Sequence, residues 1–111
     1  MVMSDVILGE FEQIVLLALT RLGSDGYGIS IAADITARTG REVSLGAVYK
    51  TLERLEDKGF VASRIGDPTP ERGGRRKKFF RMAATGQRAL RQSMAGLRSM
   101  ADGLESELRI L

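Results

Sequence analysis

The most chemically distinctive segment of this sequence is a basic run with a glycine hinge, Arg72-Gly73-Gly74-Arg75-Arg76-Lys77-Lys78. Residues 67–83 carry six Lys or Arg side chains against two carboxylates, which gives a net charge of +4. Residues 1–66 carry seven against nine and residues 84–111 carry four against three, so the rest of the chain is slightly acidic. Positive charge concentrated in one short segment is typical of a surface that binds a polyanion, and the phosphate backbone of nucleic acid is the leading candidate.

Within this run, Arg75, Arg76 and Lys77 are the best candidates for contacts with phosphates or with a minor groove. Gly73 and Gly74 favour this interpretation, because glycine permits positive φ and a close backbone approach at the tip of a loop. The alternative is a solubilising loop, which is a common role for a basic run of this size.

The composition excludes most enzyme chemistries and most metal sites. With no cysteine and no histidine in 111 residues, the chain has no disulfide, no thiolate ligand and no imidazole base. We therefore expect neither an enzyme nor a cofactor. The first five residues lack the features of a signal peptide, and no stretch approaches the roughly 20 apolar residues of a membrane span, which predicts a soluble, cytoplasmic protein.

The elements that must position the basic run begin with two amphipathic helices. Apolar residues at spacings of three and four predict a first helix that ends at Gly23, with the stripe Leu8, Phe11, Ile14, Val15, Ala18, Leu19 and Leu22. After a turn at Ser24-Asp25-Gly26, a second helix is predicted from about Tyr27 to Gly40, with Ile31, Ala32 and Ile35 on its inner face.

A third helix is predicted over residues 44–58. Ser44 is a good N-cap, Gly59 supplies a C′ glycine, and the inner stripe is Leu45, Val48, Leu52 and Leu55. Its outward positions begin with Gly46 and Ala47 and continue with Tyr49 and Lys50, a composition that favours close approach to a groove.

The basic run is predicted to be the tip of a β-hairpin. Phe60 to Ile65 and Lys77 to Met82 have the character of strands, whereas Asp67-Pro68-Thr69-Pro70 cannot continue one. Three helices followed by such a hairpin predict a mainly α fold with a small hairpin (α+β), a winged helix-turn-helix over residues 1–83. In that fold the third helix enters the major groove and the wing, here residues 67–78, lies over the flanking backbone.

Residues 84–111 are predicted to form a C-terminal dimerisation helix. The spacing 4-3-4-3-4-3 is that of an unbroken heptad seam, formed by Leu90, Met94, Leu97, Ala101, Leu104, Leu108 and Leu111. A helix of roughly 40 Å is too long for a small core to cover, and the simplest partner is the same helix of a second copy. Met94 and Met100 either fill gaps in this seam or form the adaptable wall of an effector pocket.

Three side chains of the third helix are candidates for DNA contacts, and each has a structural alternative. Tyr49 could contact a phosphate or base edge through its hydroxyl, or rest its ring on the edge of the core. Lys50 could contact a phosphate or a guanine, or be solvated. Ser44 could contact a phosphate, or serve only as the N-cap.

The chain resembles the PadR family of bacterial transcriptional regulators, in its short type with a single C-terminal helix. The resemblance covers Leu8 to about Leu90 and depends on four motifs: Leu8-Gly9-Glu10-Phe11-Glu12, Tyr27-Gly28, the segment from Ser44 to Leu55, and the segment from Glu71 to Lys78. It implies a homodimeric repressor that binds a pseudo-palindromic operator in double-stranded DNA, with a small hydrophobic effector as a further partner in some members. The alternative is a winged-helix module that binds an acidic protein surface without sequence-specific DNA binding.

Two positions depart from the family pattern. The family usually has threonine before its last helix, where this chain has Ala83, so Thr85 could cap a helix that begins two residues later. Some short members stack flat aromatic drugs on a tryptophan at the dimer interface, and this chain has no tryptophan.

Overall fold

The computed structural model describes residues 7–66 and 77–109. The elements are α1 (Glu10–Leu22), a short 3-10 turn (Gly23–Asp25), α2 (Gly28–Thr39), α3 (Leu45–Asp57), β1 (Val61–Ile65), β2 (Lys78–Met82), α4 (Ala84–Ala101) and α5 (Glu105–Leu108). Helices α1 to α3 followed by an antiparallel hairpin confirm the predicted winged helix-turn-helix. The predicted wing tip, with Arg75 and Arg76, lies outside the described residues.

Local chemistry explains where the first three helices begin and end. Gly23, Gly40 and Gly59 follow α1, α2 and α3 and have φ values of 58°, 73° and 78°, a region that disfavours other residues. The Ser44 hydroxyl accepts a hydrogen bond from the backbone N–H of Ala47 at 3.1 Å and so caps α3. These boundaries agree with the sequence predictions to within two residues.

A single core lies between α1, α2 and α3 and is closed by the hairpin and by α4. Its fully buried side chains are Val15, Leu16, Ile31, Ile35, Val48, Leu52 and Leu55. Phe60 and Phe80 cover it from the hairpin, and Leu90 covers it from α4. The inner face of α3 is therefore fixed by packing, which leaves its opposite face to solvent.

The hairpin is also joined to the start of α2. Its strands pair from Val61↔Met82 to Ile65↔Lys78. On its other edge β2 forms a bridge with Tyr27, and the Phe80 N–H donates to the Gly26 carbonyl at 2.8 Å. The base of the wing is thus held to the helix-turn-helix by backbone hydrogen bonds as well as by packing.

One prediction for α3 is wrong: Leu45 is not part of its buried stripe. Its side chain is 43% exposed, although Val48, Leu52 and Leu55 are buried as predicted. Val43, before the helix, packs against the core instead. Leu45 is the first residue of α3 and is left outside the core.

The prediction of a continuous heptad seam is also wrong. Helix α4 ends at Ala101, so it is about 27 Å long at 1.5 Å per residue. Gly103 then has a φ of 84°, which turns the chain before the four-residue α5. Leu104 and Leu108 therefore do not extend the apolar face of α4, and Leu90 is already buried within this chain.

The start of α4 differs from the prediction as well. The helix begins at Ala84, and Thr85 does not cap it, because its hydroxyl donates to the Gly59 carbonyl. A Cβ at Gly86 would collide with the Phe60 carbonyl, so α4 lies directly on the backbone that leads into the hairpin. The second turn of α4 still packs on the core through Ala89 and Leu90, and Met94 lies against its edge, whereas Leu97 and Met100 farther along the helix are exposed. The radius of gyration is 15.8 Å, whereas a compact chain of this length has about 13 Å.

Candidate nucleic-acid interface

The outward face of α3 combines small residues with a phenol and an ammonium group. Gly46, Ala47, Tyr49 and Lys50 are all exposed on the first two turns. A Cβ at Gly46 would meet nothing closer than the Ser44 hydroxyl oxygen at 4.0 Å, so space next to the helix backbone is open. A groove could therefore approach the backbone of α3 closely at this point.

Tyr49 rests its ring on the first turn of α2. A Cβ at Gly28 would overlap the ring and hydroxyl of Tyr49, so only glycine leaves room for this contact. The side chain remains 38% exposed. The contact agrees with the structural alternative raised for Tyr49, and it also fixes the hydroxyl at the N-terminus of α2, where backbone N–H groups lack carbonyl partners within the helix.

Ser44 and Lys50 lie on either side of this phenol along α3. The Ser44 oxygen accepts the capping bond, which leaves its hydroxyl hydrogen able to donate to a phosphate. Lys50 is exposed and lies within the outward face, opposite the buried stripe. Ser44, Tyr49 and Lys50 are therefore all exposed, at the N-cap and in the N-terminal half of α3.

Lys77 lies at the base of the wing, beside α2. Its ammonium nitrogen is 4.7 Å from the centre of the Tyr27 ring. The Tyr27 ring packs edge-on against the Phe79 ring, and the centres of the two rings are 5.4 Å apart. The Arg64 guanidinium lies 4.6 Å from the centre of the Phe79 ring. These cation–π and aromatic contacts hold two cations on one side of the hairpin.

Lys78, the next residue along β2, is directed elsewhere. Its ammonium nitrogen lies 3.9 Å from a carboxylate oxygen of Glu56 on α3. Lys77 thus lies beside the Tyr27 ring and Lys78 beside Glu56, so the two ammonium groups lie on different surfaces. The sequence alone favours Lys77 over Lys78 only weakly as a DNA contact, whereas the structure shows that the two side chains have different neighbours.

Residues 15–92, which are more than half of the chain, match the transcriptional regulator PadR-like family. The chain belongs to this family. It is accordingly a transcriptional regulator and not an enzyme.

Three relatives place this PadR-like chain among known proteins. It is 33% identical over 89 residues to an uncharacterized protein of Lysinibacillus sphaericus, covering 78% of this chain and 77% of the relative. A PadR family transcription regulator from Clostridium difficile has the same fold, with a TM-score of 0.74, 22% identity, and coverage of 90% of this chain and 99% of that one. Bacillus subtilis PadR, solved in complex with operator DNA, gives a TM-score of 0.65 at 21% identity and covers 77% of this chain and 46% of that one.

A further feature of this PadR-like chain, missed from its sequence, is a buried carboxylate at the start of α1. Glu12 lies under the end of α3, and its Oε2 is 2.8 Å from the Lys58 ammonium and 3.6 Å from the Arg54 guanidinium. The Gly9 N–H donates to its Oε1 at 2.9 Å. The ion pair of Arg54 therefore joins α3 to α1. A glutamate inside the apolar stripe of the first helix was the available signal in the sequence.

Two apolar grooves flank α4 of the PadR-like chain. A groove of about 450 Å³ between α1 and α4 is lined by Ile14, Leu17, Met94, Leu97 and Ala101, together with Glu10, Gln13 and Arg98. A second, of about 370 Å³, is lined by Ile7, Leu8, Gly96, Leu97 and Met100, with Gln13, Gln92 and Ser93. Leu97 lines both and is 62% exposed, so it forms a ridge between them.

Within residues 7–66 and 77–109, none of the helices combines the length and the apolar character that a membrane span requires.

Proposed function

We propose that this chain is a homodimeric repressor that binds a pseudo-palindromic operator through α3 and the wing. One observation carries the DNA-binding part: Lys77 of the wing and Tyr49 of α3 contact two consecutive residues at the start of α2. Lys77 lies over the ring of Tyr27, and Tyr49 lies on Gly28. The base of the wing, the start of α2 and the outward face of α3 therefore form one continuous surface.

Each part of this surface has a defined role in the proposed complex. Tyr49 and Ser44 donate from their hydroxyl groups to backbone phosphates near the positive end of α2. Lys50, at the centre of the exposed face, reaches into the major groove to a phosphate or to guanine O6 and N7. Lys77 and, beyond the described residues, Arg75 and Arg76 bind the flanking backbone.

The dimer is proposed from the two grooves and from the charges at their rims. Leu97 and Met100 are 62% and 78% exposed, and Ile7 lines the same groove, so the face formed by α1 and α4 is an exposed apolar surface of the kind that marks an interaction site. Glu10 of α1 and Arg98 of α4 line the same groove. In a two-fold interface each surface faces its own copy, which would bring Arg98 of one protomer to Glu10 of the other.

The proposed interface is shorter than the sequence predicted. Met94, Leu97 and Ala101 remain on the face of α4, whereas Leu90 belongs to the core and Leu104 and Leu108 lie after the turn. A small hydrophobic effector that entered either groove would compete with the helix of the partner. We propose this competition as the route by which an effector would lower operator affinity.

A lysine substitution in α3 tests the DNA-binding proposal. Lys50→Ala should reduce affinity for the preferred operator at least about fivefold, because a good base contact contributes about 1–3 kcal/mol of discrimination. Arg88→Ala is the matched control, since Arg88 is an exposed cation on α4. Equal affinity of the Lys50→Ala and wild-type proteins for the operator, in fluorescence anisotropy titrations, would contradict the proposed role of α3.

A further inference from the structure

An exposed apolar strip lies where α3 begins, next to the start of α2. Leu45 is 43% exposed at the first position of α3, and Ile29 is 57% exposed near the start of α2. Leu45 and Tyr49 are four residues apart, so they lie on the same side of α3. That side faces α2, because the Tyr49 ring rests on Gly28.

The same segment has few groups that could read bases by hydrogen bonding. Positions 44–50 contain no Asn, Gln, Arg, Asp or Glu, so the bidentate pairs that identify adenine, and the arginine pair that identifies guanine, are absent. The Ser44 oxygen is occupied by the N–H of Ala47. The exposed polar groups from 44 to 50 are the Ser44 hydroxyl, the Tyr49 hydroxyl and the Lys50 ammonium, and the other exposed positions are apolar.

The open space beside Gly46 allows the first turn of α3, and with it the Leu45 side chain, to approach a groove of DNA. With no Cβ at Gly46 and nothing near that position but the Ser44 hydroxyl, the first turn of α3 can enter a groove deeply. A leucine at such a depth meets the floor of the major groove. The one apolar group that base pairs present there is the C5-methyl group of thymine.

We infer that Leu45 is a specificity-determining residue that packs against the C5-methyl group of one thymine in each operator half-site. The inference rests on the proposed function, because it assumes that α3 enters the major groove. It adds a contact that requires no polar partner and that explains why an apolar side chain is kept out of the core at this position. The operator is accordingly required to carry a methyl group, and not merely a T·A pair, at one position per half-site.

Replacing thymine by deoxyuridine tests this contact without any change in the protein. Each dT of a half-site of the selected operator is replaced in turn by dU, which removes the methyl group and keeps the hydrogen-bonding edge. Wild-type protein should lose about fourfold in affinity at one position, the value expected for one buried methyl group, and the loss should be squared when both half-sites are changed. The other positions should respond less.

The protein variant then assigns the contact to Leu45. Leu45→Ala should bind the unmodified operator more weakly, and at the sensitive position it should bind dT and dU operators equally. Ile29→Ala is the matched control: it shortens a neighbouring exposed apolar side chain and should keep the wild-type ratio of dT to dU affinity. Circular dichroism should show both variants folded, because both side chains lie outside the core.

The outcomes separate this inference from the proposed function. A selected operator that tolerates dU at every thymine, or a Leu45→Ala protein that keeps the wild-type sensitivity to dU, would overturn the Leu45 contact alone. Failure to select any operator would overturn the proposed function, and the inference with it.

Discussion

The ammonium group of Lys58, after the last turn of α3, lies 2.8 Å from the buried carboxylate of Glu12 in α1. Glu12 is 6% exposed and also receives the Gly9 N–H, so it fixes the first turn of α1 as well as the end of α3. Its neighbours Glu10 and Gln13 line the groove beside α4. The end of α3 and the proposed dimer face are thus joined through the Glu12 carboxylate, which also lies 3.6 Å from the Arg54 guanidinium.

This contact should make stability depend on pH below 5. Burial raises the pKa of Glu12, but the Lys58 hydrogen bond, the Gly9 hydrogen bond and the charges of Lys58 and Arg54 outweigh it and lower the pKa below its ordinary value. A lowered pKa contributes stability that is complete above the unfolded value of about 4.3 and is lost as the pH falls through the folded value. Glu12→Gln should therefore be less stable than wild type by about 1–3 kcal/mol at pH 7, and by less than that at pH 3.

Urea unfolding at the two pH values and one protein concentration measures this difference. Glu42→Gln is the matched control, because Glu42 is an exposed carboxylate before α3, where a surface charge contributes little to stability. The same loss of stability for Glu12→Gln at pH 3 and at pH 7 would show that charge is not the cause.

Gly28→Ala and Gly46→Ala should separate folding from DNA binding. At Gly28 the added methyl group would overlap the Tyr49 ring, which should destabilise the fold by about 1–3 kcal/mol and displace the hydroxyl from the DNA surface. At Gly46 the methyl group enters open space, so the helix should be as stable or slightly more stable, by up to about 1 kcal/mol. Operator affinity should nevertheless fall, because that space is where the groove approaches.

Thermal unfolding and operator titration of both glycine variants provide the comparison. A Gly46→Ala protein with unchanged affinity for the operator would mean that the first turn of α3 does not enter a groove.

Lys77 and Lys78 should differ in their effect on the salt dependence of DNA binding. Lys77 lies on the surface shared with Tyr27, whereas Lys78 is directed to Glu56. The slope of log affinity against log salt concentration is negative, and Lys77→Ala should reduce its magnitude by about 0.9 per lost phosphate contact, hence by about 1.8 per dimer. Lys78→Ala should leave the slope near the wild-type value, and equal slopes for all three proteins would exclude a phosphate contact by Lys77.

Leu97→Glu should produce monomers that keep the winged fold but lose operator binding. The side chain is 62% exposed on the ridge between the two grooves, so a carboxylate there is tolerated by the monomer but not by an apolar interface. Ala95→Glu is the matched control, because two residues along a helix correspond to about 200° of rotation. Sedimentation should find the first variant monomeric and the second dimeric; a dimeric Leu97→Glu protein that binds the operator would refute the proposed interface.

The sequence predicted the helix ends well where glycine and serine act locally. Gly23, Gly40, Gly59 and Ser44 each impose or favour one backbone conformation, and a local rule suffices for them. The same local rule at Gly103 predicts the end of the last helix, whereas the apolar spacing through Leu108 predicts that the helix continues. A regular spacing does not by itself keep a helix continuous across a glycine with positive φ.

The arrangement of the candidate site was harder to predict, because it depends on contacts between distant parts of the chain. The choice between Lys77 and Lys78 requires the strand register, and the position of Tyr49 requires knowledge that Gly28 lies beneath it. Leu45 fits the inner stripe by spacing alone, whereas in the structure it is exposed and Val43, before the helix, packs against the core. Spacing identifies the face of a helix, but the neighbouring elements decide how much of that face is covered.

Selection of random duplex DNA on the purified protein, followed by titration of the selected duplex and a scrambled duplex at two salt concentrations, tests the central claim most directly. We expect a pseudo-palindrome whose half-sites are about one helical turn apart, roughly 34–36 Å, and which is bound far more tightly than the scrambled duplex. Equal and strongly salt-dependent binding to both duplexes would contradict a sequence-specific regulator and would favour a winged-helix module that binds an acidic protein surface.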